Sequence, residues 1–151
     1  WGFRIRDDNF KSTRELIHLL VRTSGMGANL LLNVGPMPNG KIQTECIERM
    51  TEIGDWTREY GYTLYSTTGG PERPQRWGSV TRKGDTSYNH ILDPKATWAE
   101  IGIPNVKSAR VVNGTDSSEV KWSSNRASGK STFSFSGLPD QHDTIIEVKT
   151  K

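Results

Sequence analysis

The run Gly27-Ala28-Asn29-Leu30-Leu31-Leu32-Asn33-Val34-Gly35-Pro36 decides the fold. Leu30, Leu31, Leu32 and Val34 follow one another without polar alternation, and glycine and polar residues stop the run at both ends. That pattern suits a strand covered on both faces, as in a parallel sheet flanked by helices. Helical patterns precede and follow it, so the first third of the chain reads α-β-α, the repeating unit of a parallel α/β sheet. One parallel strand cannot satisfy its own backbone N–H and C=O groups. It therefore either pairs with something outside this chain or belongs to the tail end of a larger domain, and we expect the second.

Working outward, Ser12 and Glu15 form a capping box that starts a helix at Thr13. Leu16, Ile17, Leu19, Leu20 and Thr23 give it one broad face, and Gly25 and Gly27 should end it near Ser24. Beyond the apolar run, Gly35 to Gly40 is turn chemistry. Thr44 is expected as the N-cap of a second helix, with Glu45 in its first turn complementing the helix dipole. Ile47, Met50, Ile53, Trp56 and Tyr60 recur at helical spacing and read as a packing stripe rather than a ligand site, closed by Gly61.

After Tyr65 the composition changes. Residues 66–74 read as a linker or long loop. From Trp77 onward, short β patterns alternate with Gly, Pro, Asn and Asp: Gly78 to Lys83, Thr86 to Leu92, Thr97 to Ile101, Lys107 to Val112, Val120 to Ser123, Ser131 to Phe135 and Thr144 to Lys149. Short strands with turns at such spacing predict a small antiparallel β-sandwich. The expected fold class is thus α/β followed by all-β, with a boundary between residues 1–68 and 69–151.

With 151 residues the chain holds one ordinary domain or two small ones, and a hydrophobic fraction of 32% makes its core lean. Twenty basic and seventeen acidic residues leave a net charge of +3, dispersed so that Arg82-Lys83 is the longest basic run. Nucleic acid is therefore not an expected partner. No apolar run approaches the roughly 18 residues of a membrane span, and no membrane partner is expected. Cys46 is the lone cysteine and forms no internal disulfide. The start at Trp1-Gly2 resembles a cut, which would put any export signal upstream.

Chemistry-bearing residues are sparse. His18, His90 and His142 lack metal-ligand spacing, and Gly25 and Gly27 precede a strand instead of opening a phosphate-binding helix. Asp7 and Asp8 sit among Arg4, Arg6 and Lys11, whose positive charge would hold them ionised and make them poor general acids. No catalytic residue, metal or cofactor is assigned. Asn113-Gly114-Thr115 fits the N-glycosylation pattern, in a plausible turn.

The order of motifs resembles glycoside hydrolase family 29, the α-L-fucosidases. The resemblance is carried by Trp1-Gly2-Phe3, Ser12-Thr13, Glu15-Leu16-Ile17, the run from Asn29 to Pro36, Asn39-Gly40, Glu48-Arg49, Ile53-Gly54-Asp55-Trp56 and Tyr65. Trp77-Gly78, Lys83-Gly84 and Asp143-Thr144-Ile145-Ile146 look like the family's C-terminal β-domain. Phe3, Ala28 and Tyr62 stand where the family often has Tyr, Gly and Glu.

The resemblance implies the last strand and flanking helices of a (β/α)8-like barrel followed by a β-sandwich, from a retaining hydrolase of fucosylated glycans that needs no cofactor. It also implies a periplasmic, extracellular or lysosomal parent. Such chemistry uses two carboxyl groups roughly 5 to 5.5 Å apart, one as nucleophile and one as acid. The resemblance puts both upstream of Trp1, in the missing N-terminal barrel. Asn33, at the C-terminal end of the strand, then sits on the rim where barrel enzymes bind substrate, either positioning a hydroxyl or capping its own loop. Trp1 could present an aromatic face to the sugar or simply pack. An alternative from another class is a non-catalytic carbohydrate-binding sandwich using Trp77, Trp98 and Trp122. A third is a split protein whose partner chain supplies the other strands.

Overall fold

The computed structural model describes residues 2–6, 8–114, 118–136 and 142–150. Helix α1 spans Thr13–Gly25 and begins at the expected capping box: Ser12 Oγ accepts from the Glu15 N–H, and Glu15 Oε2 accepts from the Ser12 N–H at 2.8 Å. It ends in a Schellman motif, in which Gly27 adopts φ 71° and donates to Ser24 O, while Ala28 donates to Thr23 O. Helix α2 spans Thr44–Tyr60, so Thr44 is inside the helix and Gln43 is the N-cap, without a side-chain bond. Gly61 follows in a right-handed conformation and opens a short 3-10 turn, Gly61–Thr63.

Residues 29–34 form no strand. The apolar pattern predicted one covered on both faces, but no described segment lies beside it to accept its ladder. Leu31 is consequently 84% exposed and Leu32 37%. The only bridge nearby joins Pro36 to Ile42 across the turn.

The β region is an antiparallel sandwich. Strands β1 (Thr68–Gly69), β2 (Gly78–Lys83), β3 (Thr86–Ile91), β5 (Val106–Val111) and β8 (Thr144–Thr150) make a five-stranded sheet in the order β1-β2-β3-β8-β5. Strands β4 (Trp98–Ile101), β6 (Glu119–Asn125) and β7 (Lys130–Ser136) make a three-stranded sheet in the order β4-β7-β6. The seven patterns read from the sequence are all strands, and β1 was hidden in the presumed linker because two residues carry no periodicity.

Both faces of the larger sheet are covered, since alternate residues of one strand point to opposite sides. Val80, Ile91, Ile146 and Val148 meet Ala99, Ile101, Phe133 and Phe135 between the sheets. On the other face Tyr88, Leu92 and Ile145 meet Ile17, Val21, Trp56 and Leu64 from the helical region. Ile17 and Val21 are fully buried there, each worth about 1.5–3 kcal/mol of apolar transfer. Arg14 Nη2 donates to Leu92 O and Arg22 Nη1 to Gln75 O, tying α1 to the loops beyond the sheet. The stripe on α2 is divided: Trp56 is buried, Ile53 and Tyr60 pack beside it, whereas Ile47 and Met50 are exposed.

Candidate active-site rim

At the C-terminal end of the extended run, Gly35 touches backbone. A Cβ there would lie 2.7 Å from both Gly2 Cα and Phe3 N, so only glycine permits this approach. The next turn closes through Met37 N–H to Lys41 O and Gly40 N–H to Met37 O, both 2.8 Å, with Asn39 Oδ1 accepting from the Lys41 N–H. These contacts bring the segment after Trp1 against Asn33 to Pro36. Trp1 itself lies outside the described residues, as does Asp7.

A depression of about 310 Å³ opens there, with Gly2, Arg4, Asn9, Phe10, Asn33 and Gln43 among its walls. A neighbouring hollow of about 190 Å³ shares Asn9, Phe10 and Asn33 and adds Leu16, Leu32 and Met50. Amide groups both donate and accept, and the Arg4 guanidinium donates, so the rim can hydrogen-bond hydroxyl groups above an apolar floor. Among the described residues, no carboxylate lines either hollow. Asp8 and Glu45 are exposed. The described lining groups are therefore suited to hydrogen-bonding a ligand. A cavity of about 500 Å³ lies at the other end of the run, along Gly27 to Leu30 and Leu64 to Gly69, and no charged side chain among the described residues lines it.

The histidines converge in a way their spacing does not reveal. His18 on α1 is half-buried, with Nε2 2.7 Å from His142 O. Burial pushes its pKa down, more than the carbonyl contact raises it. His90 on β3 is sealed from solvent beside Asp143, Nδ1 to Oδ2 at 2.5 Å. Asn113 Nδ2 donates to Asp143 O and Asn113 Oδ1 accepts from the Ile145 N–H, so the first residue of the glycosylation triplet stitches two strand ends together. Thr115 lies outside the described residues. Among the described residues no group of three or more His, Cys, Asp or Glu is placed to hold a metal ion.

Comparison with known proteins gives this arrangement a class. Residues 1–62 match the family described as Alpha-L-fucosidase. An alpha-L-fucosidase of Branchiostoma floridae is 30% identical over 99% of this chain and 36% of its own length. Alpha-L-fucosidase isoenzyme 1 from Paenibacillus thiaminolyticus superposes with a TM-score of 0.81 at 28% identity, covering 100% of this chain and 37% of that one. A family 29 alpha-L-fucosidase from Bacteroides thetaiotaomicron, solved as a trapped covalent intermediate with 2-fluoro-fucosyl fluoride, gives 0.80 at 25% identity over 99% of this chain and 35% of its own. In sequence and fold the chain is thus similar to α-L-fucosidases, which are glycoside hydrolases, and it spans about a third of the length of these relatives.

Proposed function

We propose that this chain is the C-terminal part of a retaining, exo-acting α-L-fucosidase. It would contribute the last barrel strand, two barrel helices and the β-sandwich, and it would not turn over substrate alone. The observation that carries this reading is the exposure of Leu31 and Leu32 within an apolar run whose sequence calls for cover on both faces. A barrel supplying neighbouring strands would cover them and place Asn33 at the active-site mouth, where barrel enzymes bind substrate.

In the assembled enzyme an upstream carboxylate would attack the anomeric carbon of a terminal α-L-fucosyl unit and a second would protonate the leaving oxygen. Water would then hydrolyse the covalent intermediate. This chain's own part is to shape the rim: Asn33 and Gln43 offer amides, and Arg4 offers donors, to hydroxyls of sugar or leaving group. The trapped intermediate of the Bacteroides relative supports the double-displacement course.

Two assays test the proposal. The purified chain, shown to be folded by circular dichroism, should not hydrolyse an aryl α-L-fucoside; turnover would overturn it. Exchanging this chain for the matching third of the Paenibacillus enzyme should give a chimera that does hydrolyse it. A folded but inactive chimera would count against the rim assignment.

A further inference from the structure

We propose that the outer face of the three-stranded sheet is a second glycan-binding surface, centred on Trp98 and suited to neutral oligosaccharides. It presupposes that the parent enzyme acts on glycans, as proposed above. Strand β7 alternates strictly, with Ser131, Phe133 and Phe135 buried and Thr132, Ser134 and Ser136 exposed. Trp98 and Lys121 both stand directly opposite Ser134, so all three share the outward face. Trp98 is 61% exposed there, a large aromatic on a face otherwise made of hydroxyls and charges.

The charges on that face are paired within it. Lys130 Nζ is 2.7 Å from Glu100 Oε1 and Lys121 Nζ is 3.7 Å from Glu119 Oε2. Each cation is matched by an anion, so the face offers no net charge to attract a polyanion or a polycation. What remains is an indole plane beside serine and threonine hydroxyls. An indole face is electron-rich and attracts the polarised C–H groups on the apolar side of a pyranose. Flanking hydroxyls, amphoteric as donors and acceptors, match the sugar's own O–H groups. Neutral carbohydrate fits that combination.

The position also leaves the surface free in a complete enzyme. The helices occupy one side of the five-stranded sheet and the three-stranded sheet occupies the other. A barrel completed around α1, α2 and the extended run would stand on the helical side, leaving Trp98 open to a more distant part of a branched substrate.

The test is a titration of the 15N-labelled chain with 2′-fucosyllactose and with lactose, following the indole N–H signal assigned to Trp98 by its loss in Trp98→Ala. We expect saturable movement of that signal and of amides in β4, β6 and β7. Trp98→Ala should weaken binding at least about tenfold, the scale of one lost stacking contact, whereas Trp98→Tyr should retain part of it. Because Trp98 is exposed, neither change should disturb the fold. No movement with either sugar, or movement confined to signals around Asn33, overturns the proposal. A preference for a sulfated oligosaccharide would overturn the neutral-ligand assignment. None of these outcomes alters the result of the chimera assay, so the two proposals fail separately.

Discussion

His90 Nδ1 lies 2.5 Å from Asp143 Oδ2, with both side chains shut away from solvent between β3 and the start of β8. A buried pair is costly to break one-sidedly, because the survivor keeps its desolvation penalty without its partner. Asp143→Ala should therefore lower the unfolding free energy by about 3–5 kcal/mol, measured by urea denaturation. The double variant His90→Leu with Asp143→Leu should lose clearly less than the sum of the two single changes. Simple additivity would show that the pair is not coupled.

His18 carries a pH signature. Burial is the largest influence on it and Arg14 adds to the depression, while the His142 carbonyl and Asp143 oppose it; the net result is a folded-state value below the usual 6.5. The unfolded chain therefore binds a proton that the folded chain resists. Its contribution to stability is complete above the usual histidine value and is lost as pH falls below it, toward the depressed folded-state value. His18→Gln should flatten the fall in unfolding free energy as the pH drops below the usual histidine value. An unchanged pH profile would assign the titration to another group.

Gly25 meets β2 at contact distance. A Cβ on it would fall 1.8 Å from Ser79 Oγ and 3.1 Å from Val80 O. Gly25→Ala should therefore destabilise the chain by about 1–3 kcal/mol despite alanine's better helix propensity. Adding Ser79→Ala removes the nearer obstacle and should restore much of the loss, as read by thermal unfolding. If the double variant is no more stable than Gly25→Ala alone, the helix and strand are held apart by something else.

How far the sequence carries can be judged from such pairs. The capping box at Ser12, the helix it starts and the strands of the sandwich follow from local signals: a side chain reaching three residues on, or Phe133 and Phe135 alternating with serines. Contacts between distant segments leave no such trace. Nothing near Gly25 announces Ser79, and nothing near His90 announces Asp143. At the rim, the apolar run pointed to Asn33, but Arg4, Asn9 and Gln43 join it only through folding. The expected strand failed for a related reason. Its pattern describes an environment, and the segments that would provide it are not among those described.

That exposed run should be the chain's weak point. Proteolysis should cut first within residues 27–43 and leave the strands from about residue 68 intact, as mass spectrometry of the early products can show. Leu31→Glu should reduce aggregation of the isolated chain, since Leu31 is 84% exposed and contributes nothing to the described core. Faster aggregation in light scattering would contradict this.

Asn33 can be tested in the chimera. Asn33→Ala should lower kcat/KM for an aryl α-L-fucoside by about tenfold, the scale of one lost hydrogen bond. An effect on thermal stability with kinetics unchanged would mean that the amide only supports its loop.

Strand β8 is an interior strand of the larger sheet, paired with β3 on one side and β5 on the other. A ribosome therefore makes both neighbours well before the strand that joins them. Until β8 emerges, the β1-β2-β3 group and β5 remain separate pieces, and α1 lacks Ile145, which closes part of its packing surface. The helices nearest the proposed catalytic end thus wait for residues synthesised more than a hundred positions after α1. Premature termination within residues 144–150 should yield a chain unable to hold together the face that the rest of the enzyme would use.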